Sequence, residues 1–157
     1  MRTPEDLARY LLENGIDAEL LRDVGDTPTV EAAARALGVS PQEILKTLIF
    51  FCRGEPYAVI GHGTEPISDR ALADYFGVGK RQIRLARAPQ VLELTGYAVG
   101  GVPPFGHRTR LPTLVDRGIL SFPVVYGGGG DDHTMLKITP AELVRVTDAT
   151  PVELNHR

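Results

Sequence analysis

One lysine in an apolar segment is the residue of this chain best suited to bind an anion or a carbonyl group. Lys46 lies within the apolar run at residues 44–51. Alternation along a strand there places apolar side chains on both faces, which is typical of a strand buried on both sides. The ammonium must therefore emerge at the strand end or point into a polar cavity. Snorkelling from the strand end is the alternative, and it would carry no function.

A loop rich in glycine and proline is the second candidate. Residues 94–107 read LTGYAVGGVPPFGH. Proline fixes φ and lacks an N–H, whereas glycine adopts backbone angles that other residues avoid. Gly100 and Gly101 are therefore expected to present backbone N–H groups with no side chain in the way. A second glycine run occupies residues 127–130. Neither segment matches a P-loop or a dinucleotide fingerprint, and a simple turn is the alternative for each.

Histidine and cysteine patterns argue against a metal centre. The histidines at positions 62, 107, 133 and 156 lack the spacing of metal ligands, and Cys52 is the sole cysteine. His107 and His133 follow glycine-rich loops and are better candidates for a site than the other two, with simple solvation as the alternative. Cys52 lies in an apolar run and is interpreted as a small buried hydrophobe. No Gly-x-Ser-x-Gly motif supports a serine hydrolase.

Length, composition and charge indicate one soluble domain over residues 1–157. Hydrophobic residues make up 43% and charged residues 24%, and no apolar run approaches the ~20 residues of a membrane span. A single cysteine suits a reducing compartment, so we expect a cytoplasmic protein without a membrane partner. The net charge of −3 argues against extensive coating of a nucleic acid. Basic residues nevertheless flank the loop on both sides and allow a local contact. They are Lys80, Arg81, Arg84, Arg87, Arg108 and Arg110.

Capping and turn signals divide the chain into short helices and strands. Capping boxes are predicted at Ser40 and Thr139, and Thr3 and Ser68 also precede helices. Predicted helices begin near residues 4, 30, 41, 69, 89 and 140. Predicted strands cover residues 16–20, 47–51, 56–60, 83–86, 112–115, 122–126 and, as the last strand, 133–138. Hairpins outnumber helical crossovers, which favours an α+β (mixed α/β) domain over a doubly wound nucleotide fold.

Four motifs, taken in order, resemble a known family. They are Val-Glu-Ala-Ala-Ala at 30–34, Ile-Leu-Lys-Thr-Leu at 44–48, Gly-Tyr-x-x-Gly-Gly-x-x-Pro-x-Gly at 96–106 and Thr-Pro-Ala-Glu-Leu at 139–143. Together they resemble the YbaK/EbsC family of aminoacyl-tRNA deacylases, which is similar to the editing domain inserted in bacterial prolyl-tRNA synthetase. The resemblance covers residues 5–154. It implies a mixed, partly barrel-like β-sheet surrounded by short helices, with one central cleft and no cofactor.

The resemblance also assigns roles to individual residues. Lys46 stands where the family has its essential lysine, and Gly100 and Gly101 stand where its loop meets the substrate. Pro103 occupies a position where the family commonly has a serine, so a side-chain hydroxyl is lost there. The substrate-binding set expected on this basis is Thr27, Thr47, Tyr97, Pro104, Gly106, His107, Gly128 and His133. Lys80, Arg81, Arg84 and Arg108 are expected to bind the tRNA.

The function implied is hydrolysis of the ester between a wrong amino acid and the 3′ end of a tRNA. We expect a trans-acting deacylase that removes a small amino acid of the alanine, serine or cysteine class, with tRNA(Pro) as carrier and a synthetase as a potential partner. Lys46 would hold the terminal phosphate or ribose, or position the carbonyl; the sequence leaves these roles open. The alternatives are a non-catalytic module of the same fold that binds a tRNA end, an aminoacyl-adenylate or a nucleotide, and a structural partner of a synthetase.

Overall fold

Two β-sheets frame the computed structural model, which describes residues 1–154. The strands are β1 (Ala18–Leu21), β2 (Leu45–Cys52), β3 (Glu55–His62), β4 (Ile83–Leu85), β5 (Thr113–Asp116), β6 (Val125–Gly128), β7 (Met135–Ile138) and β8 (Thr150–Val152). The α-helices are α1 (Pro4–Glu13), α2 (Val30–Leu37), α3 (Asp69–Phe76), α4 (Ala88–Thr95) and α5 (Pro140–Thr147). Short 3₁₀ turns occupy Pro41–Glu43, Lys80–Gln82 and Arg117–Ser121.

The larger sheet has the order β4-β2-β3-β5-β8, and the smaller has the order β1-β7-β6. Strand pairs are antiparallel except β3 with β5 and β5 with β8. A parallel bridge between Ile44 and Tyr126 connects the two sheets. The α+β prediction is confirmed. Over residues 1–154 the sheets do not close into a barrel, so the curvature expected from the resemblance stops short of closure.

Local capping explains where most helices begin and end. The Thr29 hydroxyl accepts from the Ala32 N–H at the start of α2, and Gly38 ends that helix with φ of 68°. The predicted box at Ser40 is present, but it caps only a 3₁₀ turn. The predicted box at Thr139 is wrong in one half. The Glu142 carboxylate accepts from the Asp17 N–H and pairs with Arg145, instead of reaching back to the cap.

The strand predictions need two corrections. The glycine run at 127–130 is not all loop, because its first two residues end β6. The strand predicted at 133–138 is not the last, because β8 follows it and pairs in parallel with β5. No apolar alternation marks so short a segment with a central proline.

Buried side chains on both faces of the larger sheet hold the elements together. One cluster packs Leu7 of α1 and Leu143 of α5 against Leu136 of β7 and against β3 and β5. Another packs Leu72 of α3 against β2, and the buried Cys52 belongs to it, as predicted. Among the described residues, no helix is both long and apolar enough to cross a bilayer.

Candidate functional site

A cavity of about 240 Å³ lies along the first half of β2, bordered by α2 on one side and by the loop of residues 94–107 on the other. We call it the Lys46 cavity. Five of the predicted site residues line it: Thr27, Lys46, Thr47, Gly100 and Gly128. Most of the remaining lining is apolar, including Val30, Ala33, Leu85, Val99 and Met135. The structure therefore gathers the lysine, one loop glycine and one glycine of the second run around the same space.

The side chain of Lys46 turns back along β3. Its Nζ donates to the carbonyl oxygen of Gly63, at 3.1 Å, and to that of Glu65. The stem passes over Gly61, where an added Cβ would lie 3.3 Å from the lysine Cε. Burial lowers the pKa of Lys46, and the carboxylates of Glu31, Asp116 and Glu65 oppose that shift. An ammonium has three donors, so one N–H remains for a ligand after these two bonds.

The edge of β2 that faces away from β3 is free of β4 where it meets the cavity. Even-numbered residues of this strand bond to β3, as the bond from the Gly63 N–H to the Ile44 carbonyl shows, at 3.1 Å. Odd-numbered residues face the other edge, where the Ala86 N–H reaches the Ile49 carbonyl at 2.8 Å. The ladder with β4 starts only at Phe50, and the bridge between Ile44 and Tyr126 brings β6 alongside the start of the strand. Thr47, which lines the cavity, therefore lies on the edge between these two neighbours.

The two loop glycines have different roles. Gly101 donates its N–H to the Ala98 carbonyl at 3.2 Å, which closes a turn. Gly100 has φ of 102°, and its N–H has no hydrogen-bond partner in the described part of the chain. Gly100 lines the cavity, whereas Gly101 is buried behind it. Only Gly100 therefore offers a backbone donor to a ligand.

The loop docks onto the second glycine run through backbone contacts. A Cβ on Gly101 would lie 2.7 Å from the Cα of Asp131, and one on Gly128 would lie 2.3 Å from the Val102 carbonyl oxygen. The Gly130 N–H donates to the Gly101 carbonyl at 2.9 Å. Any larger residue at 101 or 128 would push these segments apart. The glycines thus fix the wall of the cavity that carries Gly100.

Three predicted substrate residues lie at a different depression. Pro104, Gly106 and His107 border a second cavity of about 180 Å³, together with Arg108. The Nε2 of His107 lies 2.7 Å from the Pro103 carbonyl oxygen, so that nitrogen carries the proton and donates. Burial lowers the pKa of His107. These residues are not brought to the Lys46 cavity, because the chain turns inward after Val102 and buries residues 103–106.

Tyr97 and His133 are also placed away from the cavity. Tyr97 is fully buried in the core, where burial raises its pKa to about 12. His133 is exposed, with Nε2 at 3.0 Å from Asp132 Oδ1 and Nδ1 at 3.7 Å from Asp26 Oδ1. His156 lies outside the described residues. The carbonyl of His133 accepts from the Val24 N–H, so this segment supports the chain leading to Thr27.

The predicted tRNA-binding residues are all exposed. Lys80 and Arg81 lie on the 3₁₀ turn before β4, and Arg84 stacks over the Phe51 ring at 4.7 Å. Leu85, next to Arg84, lines the cavity, whereas Lys80 and Arg81 lie beyond the opposite end of β4, which pairs with Cys52 at the far end of β2. Arg108 lies at the second depression and donates to the Glu93 carbonyl at 3.5 Å.

The sequence did not predict a buried pair formed by a histidine and an aspartate. His62 ends β3 and Asp116 ends β5, with His62 Nε2 at 3.6 Å from Asp116 Oδ2. The His62 Nδ1 lies 2.7 Å from the Gln42 carbonyl, and Gly118 leaves room for the ring. The available signal was that His62 and Asp116 closely follow the predicted strands 56–60 and 112–115. Within residues 1–154, no group of three or more His, Cys, Asp or Glu side chains is arranged to hold a metal ion.

Comparison of the chain with models of protein families finds a match that covers the whole cavity. The model of the aminoacyl-tRNA editing domain matches residues 24–146, which include every residue that lines the Lys46 cavity. The chain belongs to this family. The resemblance found in the sequence motifs is thereby confirmed. In this editing domain, the range matched by the family model runs from the segment before α2 into the last turn of α5.

Relatives of the editing domain include both separate proteins and parts of larger ones. It is 32% identical over 116 residues to the uncharacterised protein YwhH of Bacillus subtilis, covering 73% of this chain and 72% of that protein. It is 29% identical over 119 residues to the proline–tRNA ligase of Thermoanaerobacter sp. (strain X514). That match covers 73% of this chain but 21% of the ligase.

Solved structures agree with this assignment. The hypothetical protein APE2540 superimposes with a TM-score of 0.86 at 39% identity, covering 95% of this chain and 98% of the other. A candidate trans-editing enzyme for prolyl tRNA synthetase superimposes with a TM-score of 0.90 at 30% identity, covering 98% and 97%. The editing domain therefore shares its fold over nearly the whole chain with proteins of similar length.

Proposed function

We propose that this editing domain is a trans-acting deacylase, which hydrolyses the ester between a small amino acid and the 3′ end of a tRNA. The observation that carries the proposal is the arrangement of Lys46 and the unpartnered Gly100 N–H around one small, mostly apolar cavity. The family supports editing of aminoacyl-tRNA in general. To this we add that the reaction is hydrolysis, that the amino acid is small and that a tRNA carries it.

Gly100 is proposed as the donor to the oxyanion. An aminoacyl ester is already activated, so its hydrolysis needs a positioned water or ribose hydroxyl and a donor for the developing negative charge. A backbone N–H aimed at that charge contributes about 3–4 kcal/mol to the transition state. Gly101 has the supporting role of closing the turn that presents Gly100.

Lys46 is proposed to act through its charge. Its two bonds to carbonyl oxygens hold the ammonium in place and leave a third donor. That donor suits a ribose hydroxyl, the terminal phosphate or the ester carbonyl. A buried ammonium interacts more strongly with such groups than an exposed one, because less water screens it.

The size of the cavity and the relatives support the substrate class. A volume of about 240 Å³ is below the ~300–1,000 Å³ usual for drug-sized ligands, which suits a small aminoacyl group. Ligases for proline contain related segments, which supports tRNA(Pro) as the carrier. The exposed basic residue Arg84, next to the cavity-lining Leu85, is proposed to bind the acceptor end, with Lys80, Arg81 and Arg108 as further contacts.

A panel of mischarged tRNAs tests the proposal. Alanyl-, seryl-, cysteinyl- and prolyl-tRNA(Pro) are incubated with the protein, and ester loss is compared with that in buffer. We expect accelerated loss for at least one small amino acid and none for proline. If tRNA binds but no ester is lost faster than in buffer, the domain is a binding module rather than a deacylase.

A further inference from the structure

A buried hydroxyl without a partner lines the Lys46 cavity. Thr27 is 6% exposed, and its Oγ1 has no hydrogen-bond partner among residues 1–154. A hydroxyl that is removed from water without a partner costs free energy, so such groups are rare in folded proteins. Because Thr27 lines the cavity, a turn of its side chain would bring the hydroxyl to a bound ligand, which can then supply the missing bond.

The backbone holds Thr27 in place. Its N–H donates to the Asp132 carbonyl at 2.8 Å, and Pro28 follows directly. A Cβ added at Gly100 would lie 3.6 Å from the Pro28 Cβ, so the 27–28 segment and the proposed oxyanion donor face each other. The backbone of Thr27 is therefore fixed on the wall that faces Gly100, and we take this wall as the one that an aminoacyl side chain would contact.

The wall around Thr27 offers no other buried hydroxyl to a substrate side chain. Val30, Ala33, Ile44 and Met135 contribute apolar surface. The neighbouring Thr29 hydroxyl is engaged as the cap of α2, where it accepts from the Ala32 N–H at 3.1 Å. A substrate that carries a hydroxyl on its β-carbon can pair with Thr27, whereas a methyl group in the same place leaves it unpaired.

We infer that Thr27 is a specificity residue that pairs with the hydroxyl of a seryl group, so that seryl-tRNA is preferred to alanyl-tRNA. The inference rests on the proposed deacylase function and narrows its substrate class. The hydroxyl is unpaired in the free protein and in the alanyl complex alike, so the preference comes from the bond formed in the seryl complex and corresponds to about tenfold. Cysteine falls between the two, because a thiol is a weaker hydrogen-bonding group.

The test compares Thr27→Val and Thr27→Ser with the unmodified protein. Valine keeps the shape and removes the hydroxyl, whereas serine keeps the hydroxyl. We expect kcat/KM for seryl-tRNA(Pro) to exceed that for alanyl-tRNA(Pro) at least tenfold in the unmodified protein. Thr27→Val should lose most of this ratio by slowing the seryl reaction only, and Thr27→Ser should keep it. An unchanged ratio in Thr27→Val, or an alanyl preference in the unmodified protein, overturns the inference.

A binding experiment separates this inference from the proposed function. Adenosine carrying a 3′-seryl or 3′-alanyl amide is not an ester and resists hydrolysis, and its affinity can be measured by calorimetry. A seryl preference of at least tenfold that Thr27→Val abolishes supports the role of Thr27, even if no ester is hydrolysed. Turnover of esters with amide affinities that do not depend on Thr27 overturns the inference and leaves the deacylase intact.

Discussion

At the scale of single residues, the Lys46 charge, which we propose to be functional, lies in an unfavourable environment. Burial lowers its pKa, which means that the folded protein holds the cation less favourably than water does. Its two carbonyl partners offset part of that cost. A lysine kept under these conditions fits a role in binding better than a role in stability.

Lys46→Ala is therefore expected to lower kcat/KM for the best ester at least a hundredfold, which corresponds to about 2.7 kcal/mol of lost transition-state stabilisation. The fold should be retained, because the removed charge was partly desolvated. Thermal melting checks this, and Lys137→Ala provides a control on a strand lysine outside the cavity. Full activity of Lys46→Ala would mean that the lysine takes no part in the reaction and only extends from the end of the strand.

The same residue predicts an alkaline limit to activity. Lys46 is a cation below its pKa and neutral above it, and burial places that pKa below the ordinary value of 10.5. We expect kcat/KM to fall as the pH rises through this lowered pKa, after the rate in buffer is subtracted. Lys46→Arg keeps its charge at these pH values, so any activity that it retains should lack the fall. A fall that is the same in both proteins would assign the titration to another group.

At the scale of elements, the two glycine segments are held together by backbone contacts. The contact between Gly128 and the Val102 carbonyl leaves no room for a Cβ. The Thr47 edge and the Gly100 N–H face the same space only while this contact persists. Glycine is therefore required here by close approach, rather than by the turn chemistry that draws attention to it in the sequence.

Gly128→Ala is expected to lower the free energy of unfolding by about 1–3 kcal/mol, through overpacking, and to lower activity as well. Gly79→Ala is the matched control, because Gly79 has φ of −79° and an added Cβ there meets nothing within 4 Å. Chemical denaturation of the two variants checks the difference. Equal stability of the two would mean that the loop and the glycine run separate without cost.

Local signals explain what the sequence could predict about these elements. The starts of α2 and α3 follow from Thr29 and Ser68, whose hydroxyls act within one turn. The cavity was anticipated from Lys46 and the glycine loop. The different roles of Gly100 and Gly101 were not predicted, because they depend on the hydrogen bond from the Gly101 N–H back to the Ala98 carbonyl. The position of His107 at the second cavity was not predicted either. It depends on the burial of Pro103 and Pro104 in the folded chain, which the sequence spacing does not show.

At the scale of the whole molecule, a net charge of −3 must be reconciled with a polyanionic ligand. The basic side chains of Lys80, Arg81 and Arg84 form one exposed group, of which Arg84 adjoins a residue that lines the cavity, so the favourable field is local. Contacts to phosphates give affinity that falls with salt in proportion to their number. A small footprint on the acceptor end predicts a shallow salt dependence.

Arg84→Ala is expected to weaken binding of uncharged tRNA and to reduce the slope of log K against log salt by about one, because one phosphate contact is lost. Hydrolysis of a minimal 3′-aminoacyl-adenosine ester should change little. Arg35→Ala, on the exposed surface of α2, serves as a control on an arginine outside the predicted set. Fluorescence anisotropy over a salt series measures the slopes. A slope unaltered in Arg84→Ala would exclude a phosphate contact at this residue.

The backbone contacts at Gly101 and Gly128 limit which walls of the cavity can change in sequence during evolution. At Gly101 and Gly128 that wall has no side chain to exchange, so the backbone proposed to contact the reacting ester is insulated from sequence change there. The facing wall carries side chains from residues 27–33, and the helix in that segment begins at the Thr29 cap. On the proposed function, changes within these seven residues would alter the choice of substrate while the backbone around Gly100 stays the same.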